Sequence, residues 1–138
     1  MSSIEIESIA LDYINYWDNR YAADDKGIIQ KLERPEYEWA VDRVMDLTYE
    51  DPDKLWEIIL SVLSKNPSNS VMEILAAGPL EDYLAKLGER VIEKVEQQAK
   101  SDPAFATLLG GVWQNDMSEE VWSRIKSVWD RSRWDGNA

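Results

Sequence analysis

Three carboxylates, Glu38, Asp42 and Asp46, recur every four residues, so in a helix they stand in one line on one face. Such a set could serve as metal ligands or as an acid/base pair, but a step of four residues spreads the line along about 12 Å of helix axis. Calcium and magnesium need oxygens that converge on one point. The adjacent pair Asp24 and Asp25 lacks the D-x-D-x-D-G order of a calcium loop. No metal and no cofactor is therefore expected. The chain has no Cys and no His, which removes thiol nucleophiles, Ser-His-Asp triads, thiolate zinc sites and imidazole ligands. An enzyme built on carboxylates alone remains as a third option behind two kinds of binding protein.

The ladder works against its own helix, since each like-charge pair at this spacing costs roughly 0.2–0.5 kcal/mol. Selection for stability would not choose it. Tyr49 falls close to the same line, and Trp39 lies about 60° from Asp42 on the helical wheel. Aromatic side chains within a charged rim are how binding faces are built. Asp24, Asp25, Glu38, Trp39, Asp42, Asp46 and Tyr49 are accordingly the candidate partner-binding residues. The competing reading is a solvated helix face with Trp39 tucked under the preceding loop.

Other stretches carry less chemistry. Gly110-Gly111-Val112-Trp113-Gln114 lacks the strand and spacing of a phosphate loop, so it reads as a helix terminus with Trp113 packed in the core. Glu81 and Asp82 suit the first turn of a helix, and Arg124, Lys126, Arg131 and Arg133 suit the end of one. Trp17, Trp56, Trp122 and Trp129 fall on apolar stripes and are expected in the core. Trp39 and Trp134 do not, and are expected to contact a partner.

The net charge of −12 is unevenly placed. Residues 1–53 hold 14 acids against five bases, and residues 54–138 hold 13 against ten, which gives −9 and −3. A field of this sign repels nucleic acid and anionic membranes and draws in basic proteins. The sequence begins with Ser2, Ser3, Glu5 and Glu7 where a signal peptide would carry basic and then apolar residues, and no apolar run nears the roughly 20 residues of a membrane span. A cytoplasmic location is expected.

The elements that would position these residues are helical. LWEIILSVL, from Leu55 to Leu63, is apolar over most of its circumference, with Asp51-Pro52 before it and Asn66-Pro67 after it. Ahead of it, Ser2 and Glu5 form a capping box for a helix reaching Arg20, Tyr21 to Arg34 reads as a loop with one helical turn, and Pro35 starts a helix ending near Tyr49. Beyond it, Ser70 and Glu73 form a second capping box. Gly78-Pro79 divides two helices, Gly88 breaks or kinks the next, Asp102-Pro103 starts another, and Ser118 caps the last, with a frayed tail from Asp135. No stretch alternates at period two, so the expectation is one all-α domain of about seven to eight helices. An irregular, HEAT-like stack of antiparallel helical hairpins and a compact helical bundle are both open.

The blocks AAGPLEDYL, from Ala76 to Leu84, and LLGGVWQ, from Leu108 to Gln114, resemble those of an uncharacterised family of small bacterial proteins that carry AAGPLEDLL and LLGGVWQ. The resemblance covers roughly Asp51 to Ile125, leaves out most of the acidic N-terminal third, and implies an all-α domain of unknown function without enzyme activity. Small size, localised acidity and missing catalytic residues lead to the expectation of an inhibitor that occludes a basic site on a protein partner, such as an immunity or anti-defence protein facing a toxin, nuclease or defence effector. The alternative is a structural or adaptor domain. Neither a nucleic acid nor a membrane is an expected partner.

Overall fold

The computed structural model describes residues 3–135, and the fold is all-α. Ser2 of the expected capping box and the tail beyond Asp135 lie outside these residues. Contacts divide the chain into two compact units, 1–72 and 73–138, with the division inside a short helix, α4 (Asn69–Leu75).

The first unit contains α1 (Ser3–Trp17), α2 (Glu38–Glu50) and α3 (Pro52–Ser64). α3 is the central stretch singled out by its composition. Asp51 accepts a hydrogen bond from the Lys54 amide at 3.3 Å, Pro52 occupies the first turn, and Leu55, Trp56, Ile58, Ile59, Val62 and Leu63 are buried. Leu60 is only half-buried, contrary to its place in the apolar run, because so wide an apolar face exceeds what its neighbours cover. α1 packs on both α2 and α3 through Ile9, Ala10 and Tyr13. Glu7 of α1 meets Lys65 and the Ser61 hydroxyl, and the Lys65 hydrogen bond holds its carboxyl below the ordinary range.

The segment after α1 is not the loop with a helical turn expected from its sequence. It is an antiparallel hairpin of two three-residue strands, β1 (Tyr21–Ala23) and β2 (Ile29–Lys31), in the register Tyr21↔Lys31, Ala22↔Gln30 and Ala23↔Ile29. Asp24 builds the turn: one carboxylate oxygen accepts from the amides of Lys26 and Ile28, each at 2.9 Å, and the other from the Gln30 side chain at 3.1 Å. Gly27 takes a φ of 79°, which suits a residue without a side chain. The hairpin is anchored at its base. Arg20 is buried with its guanidinium 3.8 Å from the Tyr16 ring centre, and Arg34 donates to the carbonyls of Asn15 and Asp18 that the end of α1 leaves open. Ser70, expected in a capping box, instead accepts from the Asn19 amide and donates to the Trp17 carbonyl, so it too closes the end of α1.

The second unit contains α5 (Glu81–Leu87), α6 (Ile92–Ser101), α7 (Pro103–Leu109) and α8 (Glu119–Lys126). Gly78-Pro79 does not divide two helices. Residues Ala76–Leu80 form a wide π turn leading straight into α5, in which the Glu81 amide donates to the Ala76 carbonyl. Proline lacks an amide hydrogen and its ring crowds the carbonyl four residues back, and the wider turn relieves both problems without ending the helix. Gly88 does break the chain, at φ 27° and ψ −101°. Asp102 caps α7 by accepting from the amides of Ala104 and Phe105, and Ser118 caps α8 through the Val121 amide, both as their sequence positions require.

Candidate functional site

α2 presents the acidic face. It buries Ala40, Val44, Leu47 and Thr48, which leaves Glu38, Trp39, Asp42, Met45, Asp46 and Tyr49 exposed within about 120° of its circumference. Three carboxylates therefore alternate with three large side chains, of which Trp39 is 45% exposed, Met45 63% and Tyr49 75%. Met45 is absent from the residues singled out by sequence; it lies about 20° from Glu38 at the edge of this face on the wheel, and its 63% exposure is what identifies it.

Trp39 is held. Its indole N–H donates to an Asp12 carboxylate oxygen of α1 at 2.9 Å, so one edge is fixed while much of the ring faces solvent. The only base between Pro35 and Asp53 is Arg43, against seven acids, and Arg43 is 2.7 Å from Glu50. The rest of the carboxylates on the face meet no cation among the described ion pairs.

Asp24 and Asp25 belong to another element, the hairpin turn. The Asp24 carboxylate is committed to that turn through both oxygens, so its chemistry is structural, while Asp25 is exposed. Among the described residues, no group of three acids is placed to hold a metal ion, and no helix is long and apolar enough to cross a membrane.

The second region of interest is the Gly110–Gln114 turn, where two expectations about tryptophans are reversed. Trp113 is 71% exposed instead of packed in the core. The ring that covers the glycines is Trp134, whose N–H donates to the Thr107 carbonyl at 2.6 Å and whose six-membered ring lies where a side chain on Gly111 would have to be. A side chain on either glycine would meet the Trp134 ring, and one on Gly110 would also meet the backbone of Asp130. Trp122 and Trp129, expected in the core, are half-buried and stack edge to face with ring centres 5.2 Å apart. Glu81 accepts from the Trp113 amide at 2.9 Å and from the Asn115 side chain at 3.2 Å, tying the π turn to this loop. Beside it, burial and then the Glu81 charge raise the Asp82 carboxyl above its ordinary value.

The arrangement is that of a small helical protein with an exposed acidic and aromatic helix face. The chain belongs to the Family of unknown function (DUF6869), whose profile matches residues 28–133. The match begins in the hairpin, further toward the N-terminus than the resemblance of the two blocks reaches, so β2, α2 and the carboxylate ladder lie within the family's span while α1 and β1 lie before it. No curated protein and no solved structure matches the chain.

Proposed function

We propose that this protein binds and inhibits a basic protein partner, as a bacterial immunity or anti-defence protein acting in the cytoplasm would, and that it does so without catalysis. The observation that supports this reading is the exposed face of α2, on which Trp39, Met45 and Tyr49 alternate with Glu38, Asp42 and Asp46. Aromatic and methionine side chains supply contact area, and a carboxylate rim on a segment that holds seven acids and one base supplies attraction for Lys and Arg.

The two kinds of residue act on different rates. Rim charges set association and its salt dependence, whereas a desolvated anchor sets dissociation. Capture of partners with the full chain, followed by kinetics on the captured protein, tests the proposal. Asp42→Lys with Asp46→Lys should slow association by about tenfold or more at low salt and flatten its dependence on ionic strength. Trp39→Ala should speed dissociation with the fold intact. An inhibitor lowers the partner's activity when it binds, whereas an adaptor leaves it unchanged. Unaltered binding by both variants would place the interface elsewhere, with the exposed Trp113 and Gln114 turn the next surface to examine.

A further inference from the structure

The hairpin carries a surface that the acidic face does not explain. Its register puts Tyr21, Ala23, Ile29 and Lys31 on one side of the two-stranded ribbon, and all four are exposed, Tyr21 by 60% and Ile29 by 65%. Ile28, at the turn, is 58% exposed. The opposite side begins with the buried Arg20. That same side also holds the exposed Ile28, Gln30 and Leu32, so the ribbon leaves apolar side chains open to solvent on both faces, unlike a strand pair that covers a core.

Its backbone is also unfinished. The Leu32 amide donates to the Arg20 carbonyl at 2.7 Å and the Asp24 amide to the Ile28 carbonyl at 2.9 Å, so the hydrogen-bonded pairs are Arg20 with Leu32, Ala22 with Gln30 and Asp24 with Ile28. Antiparallel ladders alternate, which leaves the amide and carbonyl of Tyr21 and Ala23 directed away from β2 along the outer edge of β1. A two-stranded sheet is marginal alone, and an open edge beside apolar side chains is a template for another strand.

Charge selects the occupant. The chain carries −12, yet the segment from Tyr21 to Arg34 holds three acids, Asp24, Asp25 and Glu33, and three bases, Lys26, Lys31 and Arg34. This neutral island with charges of both signs complements a copy of itself, whereas a strongly basic partner is drawn to α2. We propose that β1 pairs with β1 of a second copy of this chain, antiparallel about a two-fold axis at Ala22, giving a four-stranded sheet. Such a two-fold sets Tyr21 of each copy opposite Ala23 of the other, large against small, with their outward amides and carbonyls bonded. The inference rests on an element separate from α2 and stands whether or not α2 binds a partner.

Sedimentation velocity on the full chain tests it. The expected result is a concentration-dependent shift from one chain of 15.9 kDa toward twice that mass. Raising salt from about 0.05 M to about 0.5 M should strengthen association, because it screens the repulsion between two acidic chains, whereas it weakens binding of a basic partner to α2. Ile29→Lys, Tyr21→Lys and Ala23→Pro should each weaken association at least tenfold. Ala23→Pro removes an outward amide and leaves the internal pairs in place, and circular dichroism would establish that each variant is folded. A single-chain mass at every concentration would overturn the proposal and leave the edge to a strand from another protein. Dimers that persist unchanged in all three folded variants would overturn it as well.

Discussion

Glu81 and Trp113 are joined by a 2.9 Å hydrogen bond from the backbone amide of the tryptophan to the carboxylate of the glutamate, and the other oxygen of the same carboxylate takes the Asn115 side chain. The turn that exposes Trp113 is therefore fixed by a residue from the start of α5. Glu81→Ala should lower stability by about 1 kcal/mol, the usual net worth of such bonds, and speed hydrogen exchange at the Trp113 amide. Unaltered exchange would mean that the turn holds itself.

A larger effect is expected at Gly111. A Cβ there would lie 2.7 Å from the Trp134 ring and 2.9 Å from the Ala76 side chain, closer than side chains tolerate. Gly111→Ala should cost about 1–3 kcal/mol by displacing the indole. Combined with Trp134→Ala, the cost should fall short of the sum of the two single changes, since each disrupts the same contact. Additive melting shifts would show that Ala76 or the backbone, not the ring, sets the penalty.

In α3, neighbouring residues should differ sharply. Ile59 is fully buried and Ile59→Ala should cost about 2–5 kcal/mol, while half-buried Leu60 should cost clearly less when truncated. Denaturant unfolding of both variants checks the order.

Two carboxyls shift in opposite directions with pH. Glu96 accepts from Arg124 through both oxygens, and that hydrogen bonding, then the Arg124 charge, holds its folded value below the unfolded one despite burial. Its contribution to stability is present above the unfolded value, near about 4.3, and is lost as pH falls through the lower folded value. Glu96→Gln should thus lower the melting temperature at neutral pH and match the parent in strong acid. Asp82 has the opposite sign: its raised value means that it weakens the fold once ionised, so Asp82→Asn should raise the neutral-pH melting temperature, and the difference should vanish as pH falls below the unfolded aspartate value.

How much of this was legible in the residues depended on whether the signal was local. Asp51-Pro52, Asp102-Pro103 and Ser118 start helices through bonds within their own first turns, and each appears where its sequence puts it. The exposed carboxylates of α2 follow directly from the helical period. The hairpin was hidden because each strand has only three residues and its apolar side faces solvent, so neither length nor alternation marks it. Trp113 and Trp134 exchanged their expected places for a similar reason. Which indole covers Gly110 and Gly111 is settled by how the chain returns after α8, a contact between residues more than 20 apart, and the glycines are equally compatible with either ring.

The wide turn at Pro79 also decides how the surrounding positions share one side of the helix. Buried residues there come in pairs four apart, Leu75 and Ala76, Pro79 and Leu80, Tyr83 and Leu84, then Leu87. A step of four overshoots a 3.6-residue turn by about 40°, so three such steps would carry the stripe roughly a third of the way around the cylinder. The π turn unwinds the screw in the middle of that run and takes up part of the overshoot. Pro79 thus works as a phase corrector, and removing one residue between Ala76 and Leu80 would rotate Tyr83, Leu84 and Leu87 out of line with Leu75 even if every helix survived.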